Sequence, residues 1–127
     1  DGDQPLWAHV ARRATGWGPG GTVGLVVGAT APAELRRARE IAPGLGFLVP
    51  GIGTQGGSLE VALEAGPATA APAARRAGGG LLVNVSRAIA NAGTEGGEPG
   101  GNEVPADLGE RLAAAARSWA ARLPVLP

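Results

Sequence analysis

Three short apolar runs without charge, each followed by a segment with helical periodicity, constrain most strongly what this chain can fold into. The runs are residues 22–27, 47–49 and 81–85. Because they lack alternating polar residues, they predict strands that are buried on both faces. Strands that alternate with helices form parallel sheets with right-handed crossovers, so the pattern predicts an α/β fold with parallel strands.

Helices are predicted around these strands from apolar spacings of three and four residues. They cover residues 5–17, 31–41, 59–65, 86–92 and 108–123. Thr30 and Ser58 are predicted to cap the second and third helices, and Asp107 with Glu110 resembles a capping box for the last one. Residues 67–80 are predicted to be a loop, and residues 93–105 a flexible, glycine-rich insertion.

Three strands are few for a domain with a parallel sheet, since a (β/α)₈ barrel takes about 250 residues. The chain has 127 residues and begins at Asp1, without methionine. We therefore expect residues 1–127 to be a single partial domain of about three β/α units, cut from a longer protein.

Composition excludes several classes of function. Eleven basic residues balance eleven acidic ones, which argues against binding to a nucleic acid polymer or a membrane surface. No cysteine is present, so a Cys-ligated zinc site and thiol catalysis are excluded, and a cytoplasmic location is expected. All basic side chains apart from one histidine are arginines, which leaves no lysine for Schiff-base chemistry.

Residues 50–57, here called the glycine loop, follow the second strand and precede a helix. They contain Gly51-Ile52-Gly53-Thr54-Gln55-Gly56, which satisfies the G-x-G-x-x-G pattern of an anion-binding turn. A tight turn without a ligand is the alternative. A dinucleotide fold also requires an acidic residue about 20 positions further on, where this chain has Ala71. Since Arg87 is able to receive a 2′-phosphate, an NADP-binding module using Gly51–Gly56 and Arg87 stays open.

The carboxyl end of the third strand carries Asn84, Ser86 and Arg87. Arginine grips phosphate with two parallel donors, and carboxyl ends of parallel strands carry the binding loops of α/β proteins. The glycine loop and Arg87 are therefore predicted to form a phosphate site, with a surface ion pair as the plainer reading of Arg87.

The remaining conspicuous side chains are interpreted as structural. Trp7, Trp17 and Trp119 are expected to pack against the sheet, and the single histidine, His9, has no carboxylate at catalytic spacing. Arg36, Arg37 and Arg39 are expected to form a solvated helix face with local ion pairs.

Three segments together resemble the last three strand regions of orotidine 5′-phosphate decarboxylases, most closely the bacterial type 2 subfamily. They are residues 26–30 (VVGAT), 48–57 (LVPGIGTQGG) and 82–89 (LVNVSRAI). The resemblance implies the C-terminal part of a (β/α)₈ TIM barrel. It further implies a homodimer when the protein is full length, and a cofactor-independent enzyme that converts orotidine 5′-monophosphate to UMP.

By the same resemblance, Gln55 and Arg87 hold the substrate phosphate, with Ser86 and Gly53 assisting, and Pro50 lies beside the pyrimidine. The family's catalytic Asp/Lys network has no counterpart here, because lysine is absent. The chain alone is therefore expected to contain no catalytic residue and to be inactive. A non-catalytic phosphate-binding remnant is the remaining alternative.

Overall fold

The computed structural model describes residues 4–93 and 104–124. Helices and strands alternate along the first part of the chain, as predicted. The helices are α1 Leu6–Ala14, α2 Pro32–Ile41, α3 Leu59–Ala65, α4 Arg87–Ala90 and α5 Leu108–Ala121. The strands are β1 Gly24–Val26, β2 Gly46–Val49 and β3 Leu81–Val83. Short 3₁₀ turns cover Ala73–Arg75, Ala77–Gly80 and Asn91–Gly93.

The three strands form a parallel sheet in the order β1-β2-β3. Leu25 lies opposite Phe47, which lies opposite Leu81. Sequential order with parallel pairing requires each helical connection to cross back over the sheet. The predicted α/β class with parallel strands is confirmed.

One face of the sheet holds the core. Phe47 and Val49 of β2 and Leu35 of α2 are fully buried, and the Arg39 guanidinium of α2 lies over the Phe47 ring. The other face is open, because Val26 and Leu82 are largely exposed. Burial of the strands on both faces was therefore a wrong prediction for the described residues.

Helix ends follow local signals in one case and depart from them in two. The Ser58 hydroxyl accepts a hydrogen bond from the Val61 N–H at 3.1 Å, which confirms that cap. Thr30 caps nothing, because α2 begins after Ala31, whose side chain offers no acceptor. Asp107 does precede α5 but makes no capping bond. Its carboxylate instead accepts from Arg111 Nε at 2.8 Å, which lowers the pKa of Asp107.

Three further predictions need correction. The first helix ends at Ala14 and not at residue 17, so Trp17 is exposed in the following turn and does not pack against the sheet. Residues 67–80 contain two 3₁₀ turns. Arg39 is buried and does not belong to a solvated face, although Arg37 does pair with Glu40 at 2.6 Å.

The described residues divide into two compact units, one of residues 4–84 and the other of residues 85–93 with 104–124. The first contains the sheet with α1, α2 and α3. The second contains α4, a 3₁₀ turn and α5, with Gly93 closely approached by Leu108 and Leu112. Most of the predicted insertion, residues 94–103, lies outside the described residues. Within the described ranges no helix is both long enough and apolar enough to cross a bilayer.

Candidate phosphate-binding site

The glycine loop turns back on itself directly after β2. Gly51, Gly53 and Gly56 have φ angles of 98°, 87° and 80°, a region that L side chains rarely adopt. The Gly57 N–H donates to the Gly51 carbonyl at 3.0 Å, and the Gly56 N–H donates to the Gly53 carbonyl at 2.9 Å. These bonds close a compact turn whose shape requires glycine.

The base of this loop is held against the segment that follows β1. The Ala29 N–H donates to the Pro50 carbonyl at 2.8 Å. A Cβ added at Gly57 would lie 2.6 Å from the Ala29 Cβ and 3.0 Å from its carbonyl carbon. Close approach of the backbone therefore fixes the identity of residue 57, which is not among the glycines with positive φ.

The tip of the glycine loop points to solvent. Thr54, Gln55 and Gly56 are exposed, whereas Pro50 and Gly53 are half-buried nearer the sheet. The Gln55 side-chain amide has no hydrogen-bond partner among the described residues, and the N–H groups of Thr54 and Gln55 donate to none of them. The loop thus offers amide donors at the carboxyl end of a parallel strand, which is where α/β proteins bind ligands.

The other two predicted site residues belong to the second unit. Ser86 precedes α4 without capping it through its side chain, and Arg87 is the first residue of that helix. Both are exposed, and the Arg87 guanidinium forms no ion pair with any residue that the structure describes. The structure thus places Pro50, Gly53 and Gln55 in one loop, and Ser86 beside Arg87 at the start of one helix.

Sequence reasoning missed the charged group that fixes the opposite end of β2. The buried Arg39 side chain donates from Nη1 to the carbonyls of Ala42 at 2.8 Å and Leu45 at 2.7 Å. Its Nη2 donates to the Gly66 carbonyl at 2.5 Å, and the guanidinium carbon, Cζ, lies 3.6 Å from the centroid of the Phe47 ring. Nε has no partner among the described residues.

The Arg39 guanidinium thus binds backbone carbonyls at the ends of two helices and at the start of a strand. Ala42 and Gly66 terminate α2 and α3, whose carbonyl ends carry partial negative charge, and Leu45 leads into β2. Desolvation lowers the pKa of Arg39 to about 10, so the guanidinium stays charged at neutral pH. One signal for burial was available: Leu35, Ala38, Arg39 and Ala42 share the i, i+3, i+4, i+7 spacing of one helix face.

The described residues hold no group of three His, Asp or Glu side chains arranged to bind a metal ion. His9 is exposed on α1. The glycine loop therefore offers backbone and side-chain amide donors, a combination suited to an anion.

A three-stranded parallel sheet with covering helices on one face and a glycine-rich loop at its carboxyl end defines a segment of a parallel α/β protein. No protein-family model matches the chain. A protein of Halorubrum lacusprofundi named orotidine 5′-phosphate decarboxylase is 51% identical over 96 residues, which are 76% of this chain and 34% of that protein. One of Dechloromonas aromatica with the same name is 45% identical over 121 residues, 94% of this chain and 37% of that protein.

The fold agrees with these sequence matches. The solved structure of Leishmania donovani OMP decarboxylase superposes with a TM-score of 0.60 at 38% identity, covering 96% of this chain and 39% of that one. The chain is homologous to the orotidine 5′-phosphate decarboxylases, and the resemblance that the sequence indicated is confirmed. It spans about a third of the length of the curated relatives it matches.

Proposed function

We propose that this chain is the phosphate-binding part of an orotidine 5′-phosphate decarboxylase, the cofactor-independent enzyme that forms UMP and carbon dioxide. One observation carries the proposal: the glycine loop after β2 exposes a Gln55 side chain that has no hydrogen-bond partner among the described residues, in a chain 45% identical to such a decarboxylase over 121 residues. In this proposal the ligand is the phosphate of orotidine 5′-monophosphate.

The residues take distinct parts in holding that substrate. Gln55 donates its side-chain amide to a phosphate oxygen, and Arg87 grips the same phosphate as a charged fork. Gly53 and Ser86 contribute the backbone around the anion. Pro50, at the start of the loop, presents a rigid apolar ring to the pyrimidine.

Phosphate binding contributes to turnover although the phosphate does not react. Binding energy from a remote part of a substrate lowers the barrier when it is realised in the transition state. The proton chemistry itself belongs to an Asp/Lys network, and a chain without lysine cannot supply it. This chain by itself is therefore expected to release no UMP from orotidine 5′-monophosphate.

The family resemblance also carries two coarser proposals. The complete enzyme is a homodimer, and it works in the cytoplasm. Light scattering of a complete enzyme tests the first, and a single-protomer mass under assay conditions would refute it. Fractionation of cells tests the second.

A hybrid enzyme tests the proposed phosphate residues. In it, this chain replaces the matching 121 residues of the Dechloromonas aromatica relative, which supplies the remaining barrel. We expect Arg87→Ala to lower kcat/KM for orotidine 5′-monophosphate about 10- to 100-fold, because a hydrogen bond to a charged group contributes about 1.5–3 kcal/mol. Gln55→Ala is expected to lower it about tenfold.

The matched control is Arg117→Ala, which removes an exposed arginine of α5. Its kcat/KM should equal that of the unmodified hybrid. A second arm adds inorganic phosphate, which should inhibit the hybrid and inhibit the Arg87→Ala variant less. Unchanged turnover in both site variants would refute the assignment of Gln55 and Arg87, as would tight NADPH binding with no affinity for UMP.

A further inference from the structure

Asn84 is exposed at the carboxyl end of β3, and the proposed phosphate site does not use it. Its backbone N–H donates to the Val49 carbonyl at 3.1 Å, so the parallel ladder continues beyond Val83, the last residue of β3. On the other side of β2 the ladder is extended in the same way, because the Ala29 N–H donates to the Pro50 carbonyl at 2.8 Å. Asn84 is therefore held in line with the sheet.

The register of the strands places Asn84 beside Pro50. Leu48 lies opposite Leu82, and two residues further along the two strands Pro50 lies opposite Asn84. Gly28 lies opposite Pro50 on its other side. One row across the carboxyl end of the sheet thus contains Gly28, Pro50 and Asn84. Since neighbouring strands lie about 4.8 Å apart, Asn84 begins one strand spacing from the proline ring.

This row faces away from the core. Successive side chains of a strand point to opposite faces of the sheet. Leu82, two residues before Asn84, is 66% exposed, whereas Val49, directly before Pro50, is fully buried. Asn84 and Pro50 therefore point to the face that the helices leave open, at the carboxyl end where α/β proteins bind ligands.

Asn84 provides the polar side chain of the row. Gly28 has no side chain and Pro50 has an apolar ring, so hydrogen bonding by side chains falls to the Asn84 amide. That amide has two donors and two acceptor lone pairs, which allows it to bond a ligand and a neighbouring side chain together. Asn84 also belongs to the same compact unit as the glycine loop, the unit of residues 4–84.

We propose that Asn84 is a further substrate-binding residue, whose side-chain amide donates a hydrogen bond to an oxygen of the nucleoside part of the substrate. The inference rests on the proposed function, in which Pro50 lies beside the pyrimidine. A pyrimidine that packs on Pro50 also covers the neighbouring position in the row, so a ring carbonyl or a ribose hydroxyl comes within reach of the Asn84 amide. The phosphate belongs to Gln55 and Arg87.

The hybrid enzyme tests this role of Asn84. We expect Asn84→Ala to lower kcat/KM for orotidine 5′-monophosphate about 2- to 10-fold, the range that one neutral hydrogen bond supplies. The matched control is Gln4→Ala, which removes an exposed amide that bonds Arg12 at 3.0 Å, and it should leave kcat/KM unchanged. Circular dichroism checks that each variant is folded.

Asn84→Asp distinguishes the two kinds of oxygen. A carboxylate has no donor, but a ribose hydroxyl is able to donate to it, whereas a ring carbonyl is repelled. A loss of kcat/KM greater than that of Asn84→Ala therefore assigns the bond to a ring carbonyl. A smaller loss assigns it to a ribose hydroxyl.

Inhibition constants separate the nucleoside part from the phosphate. In Asn84→Ala the inhibition constant of UMP should rise by the same factor as kcat/KM falls, because UMP carries the same ring carbonyls and ribose. The inhibition constant of inorganic phosphate should equal that of the unmodified hybrid. An equal weakening of phosphate and UMP would overturn the inference, because Asn84 would then act through the phosphate site.

The outcomes keep this inference distinct from the proposed function. Unchanged kcat/KM in Asn84→Ala, together with a loss in Arg87→Ala, overturns the role of Asn84 and leaves the proposed function standing. An unmodified hybrid without decarboxylase activity counts against the proposed function. Calorimetry with UMP then decides on Asn84, and equal affinity of the hybrid and its Asn84→Ala variant would overturn the inference.

Discussion

The two ends of β2 are built on opposite principles. Before the strand, the Leu45 carbonyl accepts a hydrogen bond from the buried Arg39 guanidinium, which also donates to the C-terminal carbonyls of α2 and α3. After the strand, the glycine loop presents Gln55 and two backbone amides to solvent. At the start of the strand, here called its entry, both Nη atoms of the arginine are bonded to carbonyls. The loop after the strand, here called its exit, keeps amide donors that have no partner among the described residues. The difference separates the residues that set stability from those available to a ligand.

Because α3 starts at the glycine loop and ends at Gly66, it links the two ends. Arg39 fixes the far end of α3 relative to the start of β2. Exchanging side chains at each end tests whether stability and binding separate in this way.

The largest effect is expected at the entry. Arg39→Met in the hybrid enzyme keeps the apolar stem but leaves the three carbonyls without their charged donor. Each buried acceptor that loses such a bond costs about 1–3 kcal/mol, so we expect a loss of at least about 3 kcal/mol in the free energy of unfolding. In a protein of this size that lowers the thermal midpoint by about 10 °C, measured by calorimetry.

Arg36→Met is the control for this exchange. Arg36 pairs with Glu64 at 3.3 Å on the exposed surface, and such pairs contribute about 0–1 kcal/mol. KM for orotidine 5′-monophosphate should stay unchanged in both variants at temperatures where they are folded. Equal midpoints for the two variants would show that the buried arginine does not fasten the entry.

A smaller effect on stability and a larger one on binding are expected at the exit. Gly57→Ala places a methyl group against backbone and side chain of Ala29, so the loop must shift. Overpacking of this kind costs about 1–3 kcal/mol, and we expect it to appear as a rise in KM of about tenfold. Steady-state kinetics of the hybrid measures it.

Gly109→Ala is the matched glycine exchange, because a Cβ at this position in α5 meets nothing within 4 Å. It should leave KM unchanged and stabilise slightly, since alanine favours a helix by about 1 kcal/mol over glycine. A Gly57→Ala variant with unaltered KM would contradict the view that the shape of the glycine loop serves binding.

The topology could be predicted from the sequence because it depends on the order of apolar and helical segments along the chain. The alternation of apolar runs and helical segments predicted the parallel sheet, and Ser58 was predicted correctly because its acceptor and donor lie three residues apart. The predicted cap by Thr30 was wrong. The neighbouring Ala29 N–H donates to the Pro50 carbonyl of the glycine loop, and α2 starts one residue later than a cap by Thr30 requires.

Two other features depend on residues far apart in the chain. The Arg39 guanidinium donates to the Gly66 carbonyl, which lies 27 residues away. Since helix spacing does not reveal such a contact, it allowed either a solvated or a buried side chain. The apolar character of Val26 and Leu82 predicted burial, yet the described residues do not cover them. Their apolar character fits side chains that the remaining strands of a complete barrel would cover. The pairing of Gln55 with Arg87 at one phosphate stays a prediction.

The smallest expected effect lies in α3, where the exit of β2 meets the entry. Ser58→Ala removes the acceptor for the Val61 N–H, and loss of such a cap costs about 1 kcal/mol. The thermal midpoint of the hybrid should fall by about 2–4 °C. Ser58→Asp keeps an acceptor and should restore it, whereas Ser118→Ala, in an exposed part of α5, should change nothing. If Arg39 alone positions α3, KM stays within twofold in Ser58→Ala. A tenfold rise in KM would mean that the cap at the N-terminus of α3 positions the glycine loop. Stability and binding would then not separate between the two ends of β2.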